Sequence, residues 1–155
     1  MRPMAKVLLI VTLLLLPAIW GCSHYRKEID SNPPFASHHF RYYDVAISWQ
    51  AEKTTNGIRL AGTVTNLRSF YLRDLELTAR LVDEQGKVVA RGHFADFSNY
   101  IPPGKTETFR LEVASPPAIT PEKVRFTYVY WLAEEPPAFR GYSDVPYFGS
   151  FESFL

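Results

Sequence analysis

With one cysteine in 155 residues, the chain can form no intramolecular disulfide, so its fold has to hold by packing. A marked excess of either charge is missing as well. The 17 lysines and arginines nearly cancel the 16 aspartates and glutamates, which leaves none of the basic excess that marks nucleic-acid binders. Nor does the chain carry a polybasic run suited to an anionic membrane surface. Glycine-rich phosphate loops and Cys/His sets at metal-ligand spacing do not occur, so neither a cofactor nor a metal is expected. No segment has a helical stripe of apolar residues long enough to matter. The longest apolar run, residues 7–16 extended through Pro17, Ala18 and Ile19, falls short of the roughly 20 residues that cross ~30 Å of hydrocarbon.

That short run follows Arg2 and Lys6 and leads to Ile19-Trp20-Gly21-Cys22. Basic, then apolar, then small is the order of a secretory signal peptide. A single cysteine in an exported chain calls for a covalent or intermolecular explanation. The exit Ile19-Trp20-Gly21-Cys22 resembles the lipobox of bacterial lipoproteins, with an aliphatic residue three before the cysteine and a small one directly before it. Trp20 departs from the pattern at a position that is usually small. The resemblance implies that the Cys22 thiol is acylated, that cleavage precedes it, and that Cys22 becomes the mature N-terminus. Two or more acyl chains, at ~0.8 kcal/mol per buried methylene, hold where one binds only marginally. An uncleaved N-terminal membrane helix and a signal cut elsewhere are the alternatives. Ser23 stands where an aspartate often retains such lipoproteins at the inner membrane, so the expected location leans to the periplasmic face of the outer membrane. Cleavage removes Arg2 and Lys6, leaving 15 basic against 16 acidic side chains.

The mature length fits one domain. The full sequence is rich in aromatics (9 Tyr, 11 Phe) and has 12 prolines, a composition that favours strands and turns over helices. Residues 23–39 are polar, broken by Pro33-Pro34 and without apolar period, which predicts a semi-rigid tether ending in solvated His38 and His39. From Tyr42 the period is two. Val45, Ile47 and Trp49 alternate with polar residues, as do Ile58, Leu60, Gly62 and Val64; Leu75, Leu77, Ala79 and Leu81; and Phe109, Leu111 and Val113. Such alternation is the mark of half-buried antiparallel strands. Asn56-Gly57 predicts a type I′ hairpin turn, and Gly86 of Asp83-Glu84-Gln85-Gly86 a left-handed position. Pro102-Pro103-Gly104 predicts another turn. Regularly spaced turns between short strands point to an all-β, two-layer antiparallel sandwich.

Gly62-Thr63-Val64-Thr65-Asn66, the 75–81 strand, the Asp83–Gly86 turn and Pro103-Gly104 before Phe109 are similar, in that order, to bacterial immunoglobulin-like modules of the FxLyD type. That resemblance covers about residues 42–115 and implies an immunoglobulin-like fold in an extracytoplasmic setting, with no catalytic residues carried over. The expected organisation is a signal peptide at 1–21, an acylated tether at 22–40, the sandwich at 41–135, and an aromatic segment at 136–155 that packs on or extends it.

No catalytic constellation is expected. The cysteine belongs to the anchor, and His93 with Asp96 could form a relay but lacks a nucleophile elbow. Residues 126–132 are apolar or aromatic on both faces, so this strand is either central and covered or offers one face to a partner. The aromatic segment after it could fold back as a final strand or dock on another envelope protein. The candidate binding surface comprises Tyr128, Tyr130, Trp131, Tyr142, Tyr147, Phe148, Phe151 and Phe154. The expected function is non-enzymatic: a module held to the membrane by its lipid that binds or positions an envelope protein partner. The alternative is a small-ligand or glycan binder using those aromatics, and an envelope hydrolase working through His93 and Asp96 ranks third.

Overall fold

The computed structural model of the chain describes residues 26–115, 121–134 and 145–155. The expected signal peptide and lipobox-like stretch, with Cys22, lie outside the described residues, as do Pro116, Pro117, Tyr142 and most of the link between the last two strands. Ten strands follow in chain order: β1 (Glu28–Ile29), β2 (Ser37–Arg41), β3 (Val45–Thr54), β4 (Gly57–Asn66), β5 (Tyr71–Val82), β6 (Val88–Phe94), β7 (Tyr100–Ile101), β8 (Thr106–Ala114), β9 (Lys123–Ala133) and β10 (Tyr147–Phe154). They form two antiparallel sheets packed face to face. One has the order β1-β2-β3-β4-β8; the other runs β10-β9-β5-β6, with β7 paired to the start of β5. The chain is an all-β, two-layer sandwich.

The period of two is what builds it. Ile47 and Trp49 of β3, Leu60 of β4 and Leu111 of β8 point inward from the first sheet, against Leu77 and Leu81 of β5 and Phe126 of β9 from the second. Two such inner faces interdigitate into one layer of core. Near its start β5 carries a bulge between Arg73 and Glu76, and Asp74 there has φ of 50°. The extra residue lets Leu72 and Leu75 both be buried although the spacing breaks alternation.

Turns follow the expected chemistry at two of three places. Gly86 and Gly104 have φ of 78° and 71°, the left-handed region that a side chain resists. In the first turn the Asp83 carboxylate accepts hydrogen bonds from the main-chain N–H groups of Gln85 and Lys87. The β3–β4 hairpin is also present, but its two turn residues are Thr55 and Asn56, with Thr54 paired to Gly57. Asn56 does not take positive φ, so the type I′ turn expected at Asn56-Gly57 is corrected. The glycine flanks the turn instead of occupying its centre.

The predicted tether is corrected more heavily. From Glu28 onward it is part of the first sheet: β1 pairs with β2, and β2 pairs with β3 from Ser37↔Gln50 to Arg41↔Ala46. β2 alternates like any other strand, with His38 and Phe40 inside. Its period is hidden because one inward residue is a histidine, which reads as polar. β9 is central in the second sheet, between β5 and β10, with Val124, Phe126, Tyr128 and Tyr130 facing the core. The aromatic tail from Tyr147 on is the final strand, paired to β9 from Tyr147↔Tyr130 to Phe154↔Lys123.

Candidate functional site

The most polar place in the interior lies where the loop before β3 meets β9. Asp44, 2% exposed, takes a hydrogen bond from the Tyr128 hydroxyl on Oδ1 at 3.0 Å. The Tyr130 hydroxyl donates to Oδ2 at 2.9 Å. The Val45 N–H adds a third bond, to Oδ1 at 3.0 Å. Both tyrosines reach this carboxylate because β9 residues two apart share a face. Their rings stack at 6.3 Å, and Tyr147 of β10 stacks on Tyr130 at 5.7 Å. The Arg68 guanidinium lies over the Tyr43 and Tyr147 rings, at 5.2 and 5.9 Å. Burial, then the Asp44 charge beside them, pushes both the Tyr128 and the Tyr130 hydroxyl far above the ordinary tyrosine range. They remain donors at any physiological pH, and the carboxylate remains satisfied by them. The arrangement joins the two sheets through a buried polar bond set.

Tyr128 reaches Asp44 across Gly149, its direct partner on β10. A Cβ on residue 149 would sit inside the Tyr128 ring. Gly149→Ala is therefore expected to displace that ring, weaken the bond to Asp44 and lower stability by about 1–3 kcal/mol, measurable by urea unfolding. A neutral result would mean that the strand shifts to accommodate a methyl group.

A second buried polar group lies at the other end of the β10 edge. His38, 2% exposed, stacks on Trp49 with ring centroids 5.3 Å apart. Its Nδ1 meets Asp30 at 3.0 Å and its Nε2 the main-chain oxygen of Leu155 at 3.3 Å. The Phe35 N–H donates to the same oxygen. Partial burial pushes the Asp30 carboxyl up, but the His38 bond and the N–H groups of Asn32 and His39 outweigh it, so the group ends below the usual carboxylate range. A depressed folded-state pKa stabilises above the unfolded value of ~3.9 and is lost as pH falls through the folded value. Urea midpoints at pH 6 and pH 3 should therefore differ less in Asp30→Asn than in the parent; an unchanged difference would show that Asp30 contributes nothing to acid sensitivity. His39 points the other way and meets Ser48 Oγ at 3.1 Å. Adjacent strand residues face opposite sides, so the two histidines cannot share a ligand. The expectation of two solvated histidines is corrected for His38.

The predicted binding surface divides. Tyr128, Tyr130 and Phe151 are buried and belong to the core, so they are corrected as surface residues. Trp131 and Tyr147 are half-buried, Phe154 is exposed, and Phe148 is 77% exposed. Tyr142 lies outside the described residues. His93 does not engage Asp96: its Nδ1 meets Thr78 Oγ1 at 3.2 Å and its Nε2 lies 3.8 Å from Glu76. Asp44 escaped the sequence reading, although a lone acid directly before an apolar alternating strand is the signal that could have found it. Comparison with protein-family models, with curated proteins and with solved structures finds no match.

Proposed function

We propose that the chain is a lipid-anchored envelope module that works by binding or positioning a protein partner and carries out no reaction of its own. The feature that carries this reading is Cys22, the only cysteine, at the end of a basic and then apolar leader. The described sheet begins at Glu28, soon after it. Support for binding over chemistry comes from how the polar groups are engaged. Asp44 is occupied by two tyrosines, His38 by Asp30 and Leu155, and the His93 ring by Thr78, with Glu76 close by. The glycan-binding alternative loses Tyr128 and Tyr130, the aromatics it relied on most, to the core.

Two measurements test the proposal. Mass spectrometry of the mature protein should find Cys22 as its first residue, bearing acyl chains; an unmodified start elsewhere removes the anchor. Crosslinking in intact cells, followed by detergent solubilisation, should return a reproducible envelope protein neighbour. Failure to recover one would count against a partner-binding role while leaving the anchor standing.

A further inference from the structure

The outer faces of the two sheets differ in kind. On the first sheet, Arg41 faces Glu28, Arg59 bonds both Glu52 and Glu112, and Arg110 faces Ala61, so three arginines stand against three glutamates. On the second, register places Arg91, Arg80 and Arg125 in one cross-strand row, ended by Glu152. Glu152 pairs with Arg125 and Lys123. Among the described residues neither Arg80 nor Arg91 makes an ion pair. Like charges directly opposite one another on a sheet are destabilising, so this row is out of balance as it stands. The same face carries Glu76, Trp131, Val129 and the highly exposed Phe148, with Glu76 paired to Val129 and Val129 to Phe148. On this face four cations, Arg80, Arg91, Arg125 and Lys123, outnumber Glu76 and Glu152 beside the exposed Phe148, which matches an anionic lipid surface, where guanidinium groups meet phosphates and aromatic rings settle at headgroup level.

The start of the described chain places the β10 edge of that face near the anchor. Lys27 Nζ donates to the main-chain oxygen of Ser150 on β10 at 2.8 Å, so the chain enters at the β1/β10 side of the sandwich. Cys22 is five residues earlier, a reach of about 18 Å at full extension. With no free tether between anchor and sheet beyond that, the domain is held against the bilayer its lipid enters. Arg26 and Lys27 add two cations at the point of attachment.

We propose that the outer face of the β10-β9-β5-β6 sheet docks on an anionic phospholipid bilayer, through the arginine row and the exposed Phe148. The inference rests on lipidation of Cys22. It also explains why the sequence showed no polybasic patch: the cations come from three strands and meet only in the sheet.

The single cysteine makes the test direct. In the full-length, membrane-processed protein, Ser150→Cys on the same outer face or Gln50→Cys is labelled with an environment-sensitive fluorophore, Cys22 being blocked by its lipid. The protein is then reconstituted in vesicles of phosphatidylethanolamine and phosphatidylglycerol. The probe at 150 should shift to the blue and be quenched by lipid-borne nitroxide, whereas the probe at 50, on the opposite face, should be quenched by aqueous iodide. Arg91→Gln should lower the docked-to-undocked ratio about fivefold, the effect of one cation at such a surface. Equal iodide quenching at 150 and 50, in chains whose Cys22 is shown by mass spectrometry to carry lipid, overturns the docking and spares the anchor. A Cys22 without lipid overturns both.

Discussion

Phe151→Ala is expected to lower the free energy of unfolding by about 3–5 kcal/mol, a large share of the ~5–15 kcal/mol that holds an ordinary domain. Phe151 lies on β10, yet its ring stacks flat on Phe40 of β2, with centroids 3.8 Å apart and planes within 6°. It also meets Trp49 at 5.4 Å and Phe126 at 5.3 Å. One ring thus touches both sheets, and removing it opens a cavity lined by aromatics that cannot collapse onto one another. Urea unfolding followed by tyrosine and tryptophan fluorescence gives the measurement. Phe148→Ala, three residues away on the outer face, should stay within about 0.5 kcal/mol of the parent, as exposed positions do. A loss below 1 kcal/mol for Phe151→Ala would mean that β10 is an accessory to the sandwich and not part of its core.

Asp44→Ala should cost a similar amount, about 3–5 kcal/mol, for a different reason. The two tyrosine hydroxyls and the Val45 N–H would be left buried without their acceptor. Tyr128→Phe and Tyr130→Phe should each cost about 1.5–3 kcal/mol, because the hydrogen bond lost is to a charged group. Their combination should cost more than the sum of the two. After either single change the carboxylate keeps one hydroxyl; after both it is stranded with its main-chain donor alone. Additive costs would show that the hydroxyls act independently and that the carboxylate is better solvated than its burial implies.

How far the fold was legible depended on whether its signals were local. β3, β4 and β8 alternate over their inward residues, β5 does so after its bulge, and Gly86 and Gly104 mark turns by a backbone requirement that no neighbour alters. Where a strand departs from that pattern the reading fails. β2 hides its period behind His38, whose burial depends on Trp49, Asp30 and Leu155, residues remote in sequence. β9 is apolar on both sides, so parity alone could not say that Tyr128 and Tyr130 face inward while Val129 and Trp131 face out. The Asp44 site and the arginine row were illegible for a common reason. Each is assembled from separate strands by register, and register is fixed only when the sheets close.

The pairing of Gly57 with Ala114 and of Tyr71 with Ala133 has a kinetic side. Neither sheet can be completed from neighbouring hairpins alone, so folding must close long loops before the pairings that compensate for them form. Topologies dominated by such distant contacts fold over milliseconds to seconds, where helical bundles take microseconds. The export proposed above would turn that slowness into an asset: a sandwich that closes late is still pliable when it meets a translocation channel.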